Sequence, residues 1–399
     1  MAKHRRRTKV LVATGSRADY GLLRPLLVQL RASKVLRPHI LACGMHLDAR
    51  FGSTIDEIRA DALAPISTID VLYRQETQEA MARYVASTLT ATAEILEDLD
   101  PDFVVVLGDR AEILGVSLAT AYSNRPLVHL HGGDLSMGGH DESARHMITH
   151  LAHLHFPATA ASAARVRALG QQPWRIHISG ALGVDALLSI PDDPARTRAV
   201  MRRVGIGTKD PLVVVVQHPV TSQASAAGAQ MAATLRALRP HAASVLVIHP
   251  NADTGSAAMV RQIVAETKRN PRLRSVPSLP HEEYISLLHH AAVLVGNSSS
   301  GIIEAPSLHL PVVNVGIRQA GRERAINVLD VGHRSAAIAA AIDRALTDRR
   351  FRVRLGRMRS PYGDGHAARR IVSVLERTKV DERLLQKALT IGRPKGRTT

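Results

Sequence analysis

The chain has 399 residues, about twice the length that one hydrophobic core usually serves, so two domains are expected. Hydrophobic residues at 45% and charged residues at 22% exclude a disordered chain, and aromatics at 3% leave too few ring faces for base-stacking or sugar-stacking platforms. The net charge is +17, and the single cysteine, Cys43, excludes a disulfide framework and a Cys-based zinc site and suits a reducing cytosol.

Much of the charge lies at the ends. Residues 1–9 hold five basic groups and no acid, and residues 376–399 hold seven against three acids. A basic arm can bind nucleic acid or anionic lipid. No zinc-finger or RNA-binding signature accompanies these arms, so they read as solvated tails, with nucleic acid not the expected partner. The apolar stretch Val10–Ala13 is shorter than the roughly 7–15 apolar residues of a signal peptide and the roughly 20 of a membrane span. A cytoplasmic protein without a membrane partner is expected.

In chain order, apolar runs rich in Val, Leu and Ile predict strands at 9–14, 103–107, 127–130, 212–217, 244–249, 292–296 and 312–315. Continuous apolarity, without alternation, marks strands covered on both faces. Helical spacing fills 21–32, 80–97, 111–122, 143–153, 228–238 and 366–378. This alternation predicts an α/β chain with parallel sheets. The prolines of Ile190-Pro191-Asp192-Asp193-Pro194 interrupt the pattern, which suggests two Rossmann-like domains, 1–190 and 191–362, with an active site in the cleft between them.

Ligands of such sheets bind beyond the carboxyl ends of the strands, which singles out four loops. Thr14-Gly15-Ser16-Arg17-Ala18-Asp19 follows the first strand, and Arg17 could fork onto a phosphate. Gly108-Asp109-Arg110 closes the strand 103–107; Asp109 is either an acid–base group or the N-cap of the next helix. His129-Leu130-His131-Gly132-Gly133-Asp134, with Asp141-Glu142-Ser143-Ala144-Arg145-His146 beyond, is denser in polar groups than a turn requires. The histidines that follow lack H-E-x-x-H spacing, so no metal is expected. Gly296-Asn297-Ser298-Ser299-Ser300-Gly301 opens a short helix whose amides and hydroxyls suit a phosphate. Glu304 and Arg318 follow it, and Gln217-His218-Pro219 ends a neighbouring strand. Together these loops suggest a nucleotide-sugar enzyme.

These residues resemble the UDP-N-acetylglucosamine 2-epimerase family, particularly its hydrolysing, sialic-acid-type branch. The similarity is carried by Gly15-Ser-Arg-Ala-Asp-Tyr-Gly, Gly44-Met-His-Leu-Asp, Leu107-Gly-Asp-Arg, His129-Leu-His-Gly-Gly-Asp, Asp141-Glu-Ser-Ala-Arg-His, Gln217-His-Pro, Gly296-Asn-Ser-Ser-Ser-Gly and Pro361-Tyr-Gly-Asp-Gly, in family order over residues 9–375. The resemblance implies a glycosyltransferase-B-like fold whose last helix, about 363–380, crosses back to the first domain, leaving 381–399 as a basic tail. It implies no cofactor, no metal and a homo-oligomer, a dimer or tetramer. The implied reaction converts UDP-GlcNAc and water to UDP and N-acetylmannosamine through a glycal-like intermediate.

By the same resemblance, Asp109 and Asp141 flank the sugar and His218 lies against the diphosphate. Arg17, Ser298, Ser299, Ser300, Gly301, Glu304, Arg318 and Arg145 bind the UDP and sugar. Relatives commonly carry a carboxylate where this chain has His131 and a Glu where it has Asp134, so a third acid's work falls to Asp134 or a protonated His131. The alternatives are the same chemistry on a GDP-linked or 2,4-diacetamido sugar, a non-hydrolysing epimerase, or a glycosyltransferase of the same fold. A carbon 2 proton acceptor is superfluous in a transferase, so Asp109 and Asp141 argue against the last.

Overall fold

In a computed structural model, the described residues are 7–48, 54–71, 78–135, 141–250 and 253–390, without the side chains of Gln78 and Asp141. They form two compact units. The first comprises Met1–Asp134, His140–Ala186 and Gly365–Thr399; the second comprises Leu135–Gly139 and Leu187–Asp364.

Unit 1 is built on β1 (Thr8–Thr14), β2 (Leu36–Cys43), β3 (Ile66–Ile69), β4 (Phe103–Leu107), β5 (Leu127–Leu130) and β6 (Leu154–Phe156). Unit 2 is built on β7 (Leu212–Val216), β8 (Ser244–Ile248), β9 (Leu273–Val276), β10 (Ala291–Gly296), β11 (Val312–Val315) and β12 (Val328–Val331). All pairings between these strands are parallel. The orders are β3-β2-β1-β4-β5-β6 and β12-β11-β10-β7-β8-β9. Numbered within its own unit, each sheet reads 3-2-1-4-5-6, the doubly wound order, whose direction reverses beside the first strand. The loops after β1 and β4 therefore meet at one switch point, and those after β7 and β10 meet at the other.

The burial follows from the period of two along a strand. Val10 and Val12 of β1 pack on one face with Leu23, Leu26, Leu27 and Leu30 of helix Arg17–Ala32. Leu11 and Ala13 pack on the other with Ile113, Val116 and Ala119 of helix Ala111–Tyr122. In unit 2, Val213 and Val215 face Met231, Ile263 and Ile342, while Val214 and Val216 face Met201, Ile285 and Leu288. Each such Val or Leu side chain contributes roughly 1.5–3 kcal/mol.

The chain returns to unit 1 at helix Ala367–Arg377. Its apolar side, Ala367, Ala368, Ile371, Val372 and Leu375, joins the core around Leu23–Leu30. The Asp185 carboxylate accepts the amides of Ala367 at 2.9 Å and Ala368 at 2.7 Å, satisfying the start of the helix.

All seven predicted strands form within a residue or two. Five further strands, β2, β3, β6, β9 and β12, lay outside the predicted set. They are short or broken by polar residues and proline, as by Arg37, Pro38 and His39 in β2. The proline pair near 191 opens a helix: Pro194 takes the first position of Pro194–Arg203, and Asp193 accepts the amides of Ala195 at 2.9 Å and Arg196 at 3.0 Å.

Residues 381–390, expected as free tail, are docked on unit 1. The buried Arg175 guanidinium donates to the carbonyls of Leu384 at 2.8 Å, Arg383 at 3.1 Å and Gln386 at 3.0 Å. Arg383 also lies 4.9 Å over the Trp174 ring. The charges at 1–6 and 391–399 lie outside the described residues. Among the described residues no helix is long and apolar enough to cross a membrane.

Candidate active site

The unit 1 rim begins after β1. Ser16 caps helix Arg17–Ala32, accepting the Asp19 amide at 3.3 Å and donating to Asp19 Oδ2 at 2.8 Å. Burial pushes the Asp19 carboxyl up to about 6, against the pull of Arg110. A Cβ on Gly15 would lie 2.1 Å from Oε1 of Glu112, a buried carboxylate ion-paired with Arg110, so a side chain there would displace that carboxylate. His46 bridges Thr14 and Thr54 at 2.9 and 2.8 Å, and burial, then Arg110, hold it neutral with a value of about 4. Arg17 stands half-exposed beside Glu57, 3.0 Å away.

At the end of β4, Gly108 takes φ +73°, which turns the chain. The N-cap position of the next helix falls to Arg110, so the capping alternative for Asp109 is set aside. The Asp109 carboxylate is ion-paired with Arg145 of helix Asp141–Leu151. That guanidinium, 4% exposed, also donates to Glu142 Oε2 at 2.7 Å and to the Asp134 carbonyl at 2.6 Å. One buried cation thus ties together the loops after β4 and β5 and the following helix. Three of its donors are taken by these protein acceptors. Asp141 opens the helix, but its side chain lies outside the described residues.

The end of β5 supplies two histidines with different tasks. His129, fully buried, meets the Gly108 carbonyl at 2.8 Å and the Thr149 hydroxyl at 3.1 Å. A carbonyl can only accept, so Nε2 carries the hydrogen and Nδ1 accepts from Thr149. Burial depresses this imidazole to about 4, and it is neutral at pH 7. His131 sits at φ +62° with Nδ1 3.0 Å from Asp134 Oδ2, while Asp134 Oδ1 accepts from Ser162 at 2.8 Å. His131 Nε2 has no partner among the described residues. Gly133, at φ +78°, has no room for a Cβ, which would lie 2.3 Å from the Ser162 carbonyl.

In unit 2 the tips of β7 and β10 are joined by one side chain. Asn297 Oδ1 accepts the His218 amide at 2.7 Å and its Nδ2 donates to the His218 carbonyl at 2.9 Å. The Asn297 carbonyl accepts from Arg318 at 3.1 Å and Gln319 at 2.9 Å. Ser298 and Ser300 hydroxyls lie 2.9 Å apart, and Ser300 meets the Tyr284 hydroxyl at 2.6 Å. Ser299 takes the N-cap position of the one-turn helix Ser300–Ile303 without a side-chain cap bond, and Glu304 closes that turn. A Cβ on Gly301 would meet Val312 Cγ1 at 2.9 Å; one on Gly296 would lie 2.1 Å from the Val216 carbonyl. Burial, then the charge of Arg318, pushes His218 down to about 3, so it is a neutral imidazole.

The structure therefore gathers Asp109, His131, Asp134 and Arg145 on one rim, with Arg17 on the neighbouring loop. It gathers His218, Ser298, Ser299, Ser300, Gly301, Glu304 and Arg318 on the other. Sequence reading missed the supports: His129, Glu142, Ser162, Tyr284, Asn297 as a side chain, and Gln319. His129, two residues before His131 at the end of β5, was the available signal. Among the described residues no group of His, Cys, Asp and Glu is arranged to hold a metal ion.

The family model described as UDP-N-acetylglucosamine 2-epimerase matches residues 28–376. The chain is similar, at 36% identity over 380 residues, to UDP-N,N'-diacetylbacillosamine 2-epimerase (hydrolyzing) of Legionella pneumophila, with 95% of this chain and 98% of that protein covered. It is 33% identical over 337 residues to a polysialic acid biosynthesis protein of Escherichia coli, covering 84% and 85% of the two chains. A solved structure described as UDP-GlcNAc 2-epimerase from Neisseria meningitidis bound to UDP-GlcNAc matches with TM-score 0.81 at 18% identity, over 93% of this chain and 100% of that one. That likeness carries the fold, a glycosyltransferase-B-like pair of parallel α/β sheets. The chain belongs to the UDP-N-acetylglucosamine 2-epimerase family.

Proposed function

We propose that this protein is a hydrolysing 2-epimerase of a UDP-linked 2-acetamido sugar, converting UDP-GlcNAc and water to UDP and N-acetylmannosamine. The observation that carries the hydrolysing reading is the similarity, over 95% of the chain, to a relative named as a hydrolysing 2-epimerase. Unit 2 holds the nucleotide: the Ser298–Ser300 hydroxyls, the Gly301 turn and Arg318 take the diphosphate, Glu304 takes the ribose, and His218 lies against the diphosphate as a neutral donor. Arg17 exchanges its exposed partner Glu57 for phosphate.

Unit 1 carries the sugar chemistry. A carboxylate, Asp109 or Asp141, removes the carbon 2 proton as the bond from carbon 1 to the UDP oxygen breaks. Both electrons of that bond leave with UDP, and a carbon 1–carbon 2 double bond forms. Water then adds its oxygen to carbon 1, a proton returns to carbon 2 from the opposite face, and the free sugar is released. Asp134, oriented by Ser162, and His131, oriented by Asp134, serve the second proton transfer. Arg145 orients Asp109. This reading carries a cytoplasmic location and a homo-oligomer, which sedimentation would size.

A second reading, the same steps on a 2,4-diacetamido sugar, is favoured by the substrate named for the Legionella relative. The test incubates the protein with each UDP-sugar in deuterated, ¹⁸O-enriched water and reads products by mass spectrometry. The expected products are UDP and free 2-epimer with deuterium at carbon 2 and ¹⁸O at carbon 1. A 2-epimer still linked to UDP contradicts the hydrolysing reading.

A further inference from the structure

A groove of about 530 Å³ lies on unit 1, lined by Phe156, the segment His177–Ser179, and one side of helix Ala367–Arg377. That volume falls within the roughly 300–1,000 Å³ of small-molecule sites. Its lining includes none of the catalytic groups assigned above. Helix Ala367–Arg377 is two-faced: Ala367, Ala368, Ile371, Val372 and Leu375 are buried, while Arg370, Ser373 and Arg377, at helical spacing, turn to the groove with Arg369 and His366. No carboxylate lines the groove. The nearby Asp185 is committed to the helix amides.

Arg370 is engaged by the Ser179 carbonyl at 3.0 Å. Arg369 and Arg377 form no ion pair among the described residues. The half-buried His177 ring, backed by the fully buried Phe156 with centroids 5.6 Å apart and planes tilted by 32°, lends the groove one aromatic face. A merely solvated basic helix face has no need of a concavity or an aromatic face beside its arginines. Guanidinium forks match phosphate oxygens, and the volume leaves room for an organic body beside the phosphate.

We propose that this groove binds a small phosphorylated organic anion of mononucleotide size, held by Arg369 and Arg377 with its body against the His177 ring. The test is calorimetric titration of the full chain with adenosine monophosphate, inorganic pyrophosphate and ribose. It is run on the wild type, on Arg369→Ala/Arg377→Ala and on Ser373→Asp, which sets a carboxylate among the arginines. Adenosine monophosphate is expected to bind more tightly than pyrophosphate, and ribose not at all. Either variant should weaken both anions by about tenfold or more, the scale of one or two charge-assisted hydrogen bonds, with unchanged melting curves.

Equal affinities in the wild type and the variants, as binding at the unit 2 rim alone would give, overturn the proposal. So does capture of a single-stranded oligonucleotide on this face without adenosine monophosphate binding. Should the double variant fail to fold, Ser373→Asp decides alone.

Discussion

The two rims stand on the same strand order yet are furnished differently. In unit 1 the loops after β4 and β5 converge on the buried Arg145, which meets the Asp109 and Glu142 carboxylates and the Asp134 carbonyl. In unit 2 the loops after β7 and β10 are locked by a neutral amide, Asn297, and lined by the hydroxyls of Ser298, Ser300 and Tyr284. The doubly wound order decides where a ligand can approach; the loops decide what happens to it. Fixed carboxylates suit proton transfer, and a frame of amides and hydroxyls suits holding a ligand that brings its own charge.

Breaking the charged rim should have the larger effect. Arg145→Gln leaves Asp109 and Glu142 without their shared cation, so turnover should fall by about a hundredfold, the scale of a misplaced acid–base group. Denaturant titration should show a loss of about 3 kcal/mol, as for other broken buried pairs. Near-normal turnover would remove Arg145 from the mechanism. On the neutral rim, Asn297→Ala deletes two hydrogen bonds to the His218 backbone, each worth about 1 kcal/mol. UDP affinity, read by calorimetry, should drop by about tenfold; an unchanged affinity would break the division of labour.

Acid loads both units, because each holds buried neutral histidines. His46, His129 and His153 sit at about 4 and His218 at about 3, against an ordinary 6.5. Between those values the unfolded chain binds more protons, so this stability is complete above pH 6.5 and is lost as pH falls toward 4. Asp19, raised from 3.8 to about 6, works in the opposite sense, favouring the fold at the acid end of that window. Four groups outweigh one, and the melting temperature should fall steadily from pH 7 to pH 4.5; a flat profile would contradict the neutral assignments. The smallest effect is expected at Arg17→Ala. Its exposed pair with Glu57 contributes less than about 0.5 kcal/mol, so melting should hardly move, while UDP affinity should fall a few-fold.

The strands that carry the site were legible because β1, β4, β7 and β10 are buried on both faces and so written in nearly unbroken Val, Leu and Ile. β2, β3, β9 and β12, outside those pairs, tolerate polar residues, and the periodicity fades there. Gly108, Asp109 and Asn297 could be placed at strand ends from sequence, since a glycine and a polar residue after an apolar run mark a turn at the rim. Arg145 was visible as a residue but not as the hub. That role depends on the Asp134 carbonyl and the Asp109 carboxylate, 11 and 36 positions away. His129 read as part of a buried strand; its bond to the Gly108 carbonyl needed the register of β4 against β5.

On the proposed reading, sugar chemistry and nucleotide binding belong to different rims. Asp109→Asn tests it most directly, with UDP titration and turnover measured on the same folded preparation. UDP affinity should stay within about twofold of the wild type, and turnover should fall by at least about a hundredfold. Turnover near the wild-type rate, or UDP binding lost together with activity, would contradict it.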